Sequence, residues 1–183
     1  MMITKDRMLY KNILLSRIGF DYVTDQYVRW MNDPEVIKFL GVQFREMTEL
    51  QIEQDLADAL LNPNIHMFAI NYVNWDDTTV THIGNIKLVV DPRHNKGIIG
   101  VVIGERDYWG HGAASSAITL LTEVYSFGFL ELHHVSAGMY GNNIASQKAF
   151  SKAGYYFAYG VPEDKLFEGK YVDSLFYVKR REG

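Results

Sequence analysis

A loop of small residues at positions 108–115 carries the chemistry that the sequence shows most clearly. It reads Tyr-Trp-Gly-His-Gly-Ala-Ala-Ser and lies between an apolar segment, Ile98 to Ile103, and a helical pattern that begins near Gly112. The start of a helix offers unpaired backbone N–H groups and a dipole that favours negative charge. Glycines let such a backbone come close to a bulky anion. The loop therefore predicts a binding site for a phosphate or a pyrophosphate.

Two common phosphate-binding motifs do not fit this loop. A P-loop ends in Gly-Lys-Ser or Gly-Lys-Thr, and neither occurs here. A dinucleotide-binding fold needs an acid at the tip of the next strand, about 20 residues further on. Glu131 stands at roughly that distance, but it precedes the predicted strand His134 to Tyr140 instead of ending it. The dinucleotide interpretation therefore fails on geometry.

Two blocks of the sequence together resemble the GCN5-related N-acetyltransferases, usually called GNAT. The first family block is Arg or Gln, two residues, Gly, one residue, and then Gly or Ala; Trp109, Gly112 and Ala114 occupy these places. The second block follows in the family's order and spacing as Asn143-Ile144-Ala145-Ser146, Phe150 and Gly154-Tyr155. The resemblance covers roughly residues 10 to 180. It is similar to the subgroup that includes ribosomal-protein N-terminal acetyltransferases and sugar or polyamine acetyltransferases.

The resemblance implies acetyl-CoA as a co-substrate, and the residues themselves, as described below, lead us to expect no metal. In the family, loop amides hold the pyrophosphate, which here implies the segment Trp109, Gly110, His111, Gly112, Ala113 and Ala114. The pantetheine chain pairs with the preceding strand, which implies the backbone of Val101, Val102 and Ile103. The second block adds Asn143 and Phe150 to the expected CoA contacts.

The expected catalytic groups are Ser146 and Glu105. Many family members have a Tyr as general acid at the position of Phe150, and Phe has no proton to donate. In the related subgroup the serine of the second block is the proposed substitute, which here is Ser146, although a serine near a helix start often bonds only to local backbone. Glu105 directly precedes the loop and is a candidate general base, with His94 in a turn as a weaker alternative.

The acceptor side is less defined by the sequence. A late segment, 167–173, resembles the part of this subgroup that closes the acceptor pocket, which would place Glu168, Tyr171 and Asp173 near an amine; a simple hairpin turn at 168–170 explains it equally well. Residues 27–36 and 84–88 resemble acetyltransferases encoded with surface-polysaccharide enzymes. An amino-sugar nucleotide is therefore the first expected acceptor, ahead of a protein N-terminal amine or a polyamine. A non-catalytic acyl-CoA-binding module remains the alternative from another class.

Composition is consistent with one ordinary domain that spans residues 1–183. The chain has 22 acidic and 18 basic residues, a formal net charge of −4 and no cysteine. Thiolate metal sites and an acetyl-cysteine intermediate are thus excluded, and the adjacent His133 and His134 point to opposite faces of a strand. We expect no nucleic-acid or membrane partner, a cytoplasmic location and, from the family, a possible homodimer.

Hydrophobic periodicity predicts a mixed α/β order of elements. That order matches the GNAT fold, and the resemblance therefore implies an α/β (α+β) domain with a mixed central sheet flanked by helices. One helix starts at a Thr48 capping box with Gln51 and buries Ile52, Leu56, Ala59 and Leu60; another runs from about Gly112 to Phe127 and ends at Gly128. The remaining predicted helices are 21–31, 33–39 and 143–154. The predicted strands are 12–18, 67–73, 82–90, 98–103, 134–140, 155–159 and 174–179.

Overall fold

The computed structural model describes residues 3–182. Eight strands form one sheet in the order β1-β2-β3-β4-β5-β6-β8-β7. Every neighbouring pair is antiparallel except β5 and β6, which are parallel. The strands are β1 Arg7–Tyr10, β2 Ile13–Arg17, β3 Ile65–Val73, β4 Val80–Asp91, β5 Lys96–Ile103, β6 His134–Tyr140, β7 Tyr156–Phe167 and β8 Lys170–Arg180. The predicted mixed sheet is confirmed.

Helices cover both faces of this sheet. On β3, Ile70 packs in the cluster that includes Ile118 and Leu121, whereas its neighbour Ala69 packs with Leu56 on the opposite face, as the alternation of strand side chains requires. The helices are α1 Asp25–Asn32, α2 Pro34–Ile37, α3 Glu49–Leu61, α4 Ala113–Thr119, continued by a π-helix at Leu120–Phe129, and α5 Ile144–Lys152. Three 3₁₀ turns lie at Phe20–Tyr22, Gly41–Phe44 and Arg106–Tyr108.

Helix starts follow the sequence closely because their signals are local. Thr48 caps α3, and the reciprocal capping box with Gln51 is present. Ile52, Leu56 and Ala59 are buried as predicted, but Leu60 is 42% exposed. The prediction that Leu60 belongs to the buried stripe is therefore wrong, since α3 presents only a narrow face to the sheet.

The helix after the glycine loop ends differently from the prediction. Gly128 lies inside the π-helix, and the residue that adopts the left-handed conformation is Glu131, with φ 53°. The Ser126 hydroxyl donates to the carbonyl of Leu121, five residues earlier, at 2.8 Å, which matches the wider π turn. The wider turn extends the helix by two residues beyond the predicted end at Phe127.

Three strands were missed or predicted too short from the sequence. β1 was missed, and the β7–β8 hairpin is much longer than predicted. β7 is exposed along nearly its whole length, so it lacks the alternation of apolar and polar residues on which strand prediction depends. No helix among residues 3–182 is long and apolar enough to cross a membrane.

Candidate active site

The sheet opens into a gap between its two parallel strands. β5 and β6 pair only through Lys96, Gly97 and Ile98, and within the described residues no pairing between them follows. The Ser136 hydroxyl donates to the Gly97 carbonyl at 3.3 Å, and the Trp109 indole N–H donates to the Ile103 carbonyl at 2.8 Å. Both contacts show carbonyls of odd-numbered β5 residues on the edge that faces away from β4.

Backbone groups alternate sides along a strand, so this parity identifies which β5 groups line the gap. The N–H and C=O of Val101 and the N–H of Ile103 face the gap. The backbone of Val102 faces β4, where Val102 is opposite Asn85, and its side chain packs with the cluster around Trp30. The gap therefore presents unused backbone donors and acceptors to any extended ligand that carries amide groups.

The glycine loop forms a cradle at the start of α4, next to the end of β5. Gly110 and Gly112 have φ values of 79° and 83°, a conformation that glycine adopts without strain. Gly112 is the N-cap of α4 and provides no side-chain cap. The first amides of the continuous helix 113–129 are therefore available to a ligand, as in a helix-start phosphate site.

Three basic side chains lie around the cradle, and His111 is the one among them that was predicted from the sequence. A Cβ added to Gly112 would lie 3.5 Å from Nζ of Lys152, which comes from the end of α5. On the other side, Lys11 and His111 line a cavity of about 360 Å³ beside Gly112 and Ser116. The Lys152 ammonium adds a positive charge to the cradle amides, which favours an anion there. Only the tertiary packing of α5 against α4 reveals this lysine.

The start of α5 lies where β6 ends, at the wide end of the gap. Asn143 caps this helix, and its side-chain oxygen accepts from the N–H of Ser146 at 3.1 Å. The Ser146 hydroxyl is half-buried and makes no hydrogen bond within residues 3–182. A serine near a helix start often donates its hydroxyl to a nearby backbone carbonyl. Ser146 makes no such hydrogen bond within the described residues, so its hydroxyl can contact a ligand.

Neither aromatic side chain of the second sequence block is placed to donate a proton. Phe150 is buried and packs edge to face against Tyr155, with ring centroids 5.0 Å apart. The Tyr155 hydroxyl bonds to the Thr122 hydroxyl at 2.7 Å, and burial raises the pKa of Tyr155 well above its usual value. Phe150 and Tyr155 therefore belong to the core behind the cradle.

Glu105 connects the end of β5 to α1. Gln26 donates its side-chain N–H to a Glu105 carboxylate oxygen at 2.6 Å, and the Glu105 backbone N–H bonds to the Ile83 carbonyl at 3.1 Å. His94, by contrast, is exposed in the β4–β5 turn, where Nδ1 lies 2.7 Å from the Asp91 carboxylate. That turn is at the opposite end of β5 from the cradle, so of the two only Glu105 lies near the gap's open end.

A buried polar cluster beside β5 was not found from the sequence. His82 Nε2 lies 2.9 Å from the Gly84 carbonyl and 3.0 Å from the side-chain oxygen of Asn85; both partners accept, so Nε2 carries the proton. Burial lowers the pKa of His82 and raises that of the neighbouring Tyr27. The Asn85 side-chain N–H₂ has no hydrogen-bond partner in residues 3–182. This cluster is a neutral, polar wall on the same sheet face as Val102.

Sequence periodicity separates the two members of this cluster, because residues 82 and 85 fall on opposite faces of a regular strand. The register between β3 and β4 shifts at Ile70 and Asn71, so β4 carries one extra residue there. This bulge turns His82 and Asn85 to one face.

Aromatic side chains enclose the mouth of the gap. Gln43 donates its side-chain N–H to the Tyr140 hydroxyl at 2.9 Å. Phe39 contacts the Tyr140 ring at 5.6 Å and stacks on Phe167 at 5.0 Å between centroids. The segment before α3 and the β7–β8 hairpin thus meet over the end of β6.

The hairpin separates the three predicted acceptor residues. Glu168 lies in a two-residue turn that connects Phe167 and Lys170, and Tyr171 is 67% exposed. Asp173 is close to the gap, since its carbonyl accepts from the Gly141 N–H at 2.7 Å and its carboxylate from the Glu163 N–H at 3.1 Å. The structure brings Asp173 to the site and leaves Glu168 and Tyr171 at the hairpin tip.

A splayed parallel strand pair lies next to a helix-start cradle, an arrangement whose shape and polarity suit an extended ligand that ends in phosphate. A family model described as an acetyltransferase (GNAT) domain matches residues 14–156. The chain belongs to this family, which confirms the resemblance seen in the sequence. No group of three or more potential metal ligands occurs among residues 3–182.

Solved structures with the same fold include three acetyltransferases. RimL, a ribosomal L7/L12 alpha-N-protein acetyltransferase in complex with CoA, is 13% identical, with TM-score 0.80 over 93% of this chain and 95% of that one. Spermidine N-acetyltransferase from Vibrio cholerae, in complex with CoA and spermine, is 16% identical, with TM-score 0.78 over 92% and 95%. The Microcin C7 self immunity acetyltransferase MccE, in complex with acetyl-CoA and AMP, is 16% identical, with TM-score 0.77 over 94% of each chain. No curated protein sequence matches the chain.

Proposed function

We propose that this protein transfers the acetyl group of acetyl-CoA directly to a primary amine. The observation that carries the proposal is the β5–β6 gap with its unpaired Val101 and Ile103 backbone groups, which ends at the Gly112 cradle. An extended amide chain with a pyrophosphate at one end matches this arrangement in both shape and polarity. Related acetyltransferases of the same fold carry CoA or acetyl-CoA in their structures.

In this proposal the amides at 112–114 and the Lys152 ammonium bind the pyrophosphate, and Trp109 holds the loop against the Ile103 carbonyl. A gap-facing amide of Val101 or Ile103 polarises the thioester carbonyl. Positioning the two reactants supplies the largest share of the rate gain, roughly 7–11 kcal/mol in oriented systems.

The chemical step balances with two protein groups. The neutral amine attacks the thioester carbonyl carbon, the carbon–sulfur bond breaks, and the departing thiolate accepts a hydrogen bond from the Ser146 hydroxyl, which keeps its proton. The amine nitrogen loses its proton to a base, for which Glu105 is the candidate at the open end of β5. General acid–base assistance of this kind contributes typically 10²–10⁴-fold.

The acceptor that we propose first is an amino-sugar nucleotide. MccE contains AMP beside acetyl-CoA, which supports an acceptor with a nucleotide part in this fold. A protein N-terminal amine and a polyamine are the alternatives, by similarity to RimL and to the spermidine enzyme. A non-catalytic acyl-CoA-binding module is favoured by one observation, the Phe at position 150, which removes the usual acid.

Free-thiol release from acetyl-CoA, measured against a panel of amino-sugar nucleotides, N-terminal peptides and polyamines, tests the proposal. Ser146→Ala is expected to lower kcat by about 10²-fold or more while acetyl-CoA affinity is kept. Ser151→Ala, which removes an exposed hydroxyl from the same helix, is the matched control and should behave as wild type. Acetyl-CoA binding without turnover on any amine supports the binding module, and absence of binding contradicts both functions.

A further inference from the structure

A second cavity lies away from the cradle, at the β6–β8–β7 end of the sheet and on the same face as the Val102 side chain. It has a volume of about 450 Å³ and is lined by His133, His134, Tyr156, Phe157, Val178 and Arg180, together with the backbone near residue 158. Volumes of roughly 300–1,000 Å³ are typical of small-molecule sites. The proposed transfer reaction uses none of these side chains.

Arg180 is the permanently charged side chain among the residues that line this cavity. Arg180 is directly opposite His134 across β6 and β8, and the rings of His133 and His134 meet edge to face at 5.6 Å. Burial lowers the pKa of His134, and nearby basic side chains lower it further, so the ring is a neutral hydrogen-bonding group at neutral pH. The charge of Lys96 also lowers the pKa of His134, and the Lys96 ammonium lies 3.7 Å from the Asp91 carboxylate. No Asp or Glu is among the residues that line the cavity in the described chain. The positive charge at the cavity that favours an anion therefore comes from Arg180.

The other wall of the cavity is flat and apolar. Tyr156 is 48% exposed and opposite Val178, and Phe157 is 54% exposed. Tyr156 and Arg180 line the same cavity, and nucleobases stack on exposed aromatic rings and on guanidinium groups. A cation on one side and an aromatic face on the other match a ligand with phosphate at one end and a planar base at the other.

An open path along the sheet connects this cavity to the gap. His134 and Gly138 lie on the same face of β6, about 13 Å apart at ~3.3 Å per residue. The Phe176 ring covers Gly138 on β6, since an added Cβ there would lie 3.1 Å from the ring. The path therefore runs over β5, where Gly100 has open space in place of a Cβ and the Ile98 side chain is 53% exposed. A nucleoside-diphosphate sugar can span this separation, with its amine at β5.

We propose that the cavity at His134, Arg180 and Tyr156 binds a nucleoside phosphate, which is the nucleotide part of the acceptor. The assignment of this nucleotide to the acceptor rests on the proposed acetyl transfer. The binding of a nucleoside phosphate to the cavity does not rest on it, since nucleotide binding is measured without any reaction.

The test is calorimetric titration of the full chain with uridine diphosphate while the CoA site is saturated with CoA. A pyrimidine nucleotide is used because CoA itself carries an adenine nucleotide. We expect binding that falls about tenfold or more in a His134→Gln/Arg180→Gln variant, the equivalent of about 1.4 kcal/mol. Arg181→Gln, which removes the same charge one residue further on outside the cavity, is the control and should stay within about twofold.

Two further arms keep the result independent of folding and of the reaction. Tyr156→Leu changes an exposed ring and should also weaken uridine diphosphate binding, whereas uridine and pyrophosphate alone should each bind less tightly than the nucleotide. Equal losses in the Arg181→Gln control, or no nucleotide binding to wild type, would overturn the site. If CoA still binds in that case, the acetyl-transfer proposal stands.

Inhibition of acetyl transfer by uridine diphosphate tests whether the cavity holds part of the acceptor or a separate nucleotide. Uridine diphosphate that competes with the acceptor for acetyl transfer shows that the cavity holds part of the acceptor. Inhibition that no concentration of acceptor relieves would overturn that part and identify a separate nucleotide site. A dimer in sedimentation that covers the cavity and excludes the nucleotide would overturn both.

Discussion

Two glycines of the cradle allow backbone strain to be separated from ligand binding. Gly110 and Gly112 have nearly equal positive φ values, 79° and 83°, so an alanine at either position meets the same left-handed penalty of roughly 1–2 kcal/mol. An added Cβ at Gly110 has nothing within 4 Å, whereas one at Gly112 lies 3.5 Å from Nζ of Lys152, where the phosphate is proposed to bind. The two substitutions should therefore lower the stability of the protein equally, but Gly112→Ala should lower the affinity for acetyl-CoA more than Gly110→Ala.

We expect Gly110→Ala and Gly112→Ala to lower the melting temperature by similar amounts, about 2–8 °C at 2–4 °C per kcal/mol for a chain of this size. Acetyl-CoA affinity, measured by calorimetry below the melting range, should fall more than tenfold in Gly112→Ala and less than about threefold in Gly110→Ala. Equal losses of affinity would refute the reasoning, because they would show that loop strain alone controls binding. Unchanged affinity in both would remove the cradle from the site.

Three other predictions follow from single contacts. Lys152→Met should weaken acetyl-CoA binding, measured by calorimetry, about 3–10-fold, and added salt should reduce this effect because the lysine is exposed. Lys148→Met on the same helix is the control and should leave the affinity unchanged. Gly84→Ala places a Cβ against the Val102 carbonyl oxygen, so it should distort β5 and lower the free energy of unfolding by at least about 2 kcal/mol, measured in urea. A Gly84→Ala variant as stable as wild type would contradict the β4–β5 register. The pKa of His82 is lowered in the folded state by burial, so the unfolded chain binds more protons near and below pH 6.5 and stability must fall as the pH drops from 7 toward 5. His82→Gln should flatten this part of the stability profile, measured by urea unfolding at each pH, and an unchanged slope would show that His82 is not the group responsible.

Local signals in the sequence were sufficient for much of the fold. The Thr48 and Asn143 caps predicted the starts of α3 and α5, because a capping side chain bonds to backbone only two or three residues away. The cradle was predicted for the same reason, since Gly112 and the helix that follows it are adjacent in the chain.

Features that depend on distant parts of the chain were not predictable in this way. Lys152 reaches Gly112 only because α5 packs beside α4, and no spacing in the sequence encodes that contact. His82 and Asn85 share a face only because of the β4 bulge. The separation of β5 from β6 after Ile98 is a property of two strands about 40 residues apart, and no pattern in the sequence predicted it. The family resemblance implied only that a pantetheine chain pairs with β5.

The measurement that tests the central claim most directly is a titration of the protein with acetyl-CoA, followed residue by residue through backbone amide resonances. The account predicts saturable shifts concentrated at Val101 and Ile103 on the gap edge of β5, at residues 110–115 of the cradle, and at Asn143 and Ser146. Shifts confined to other parts of the sheet, or the absence of any saturable shift, would contradict it.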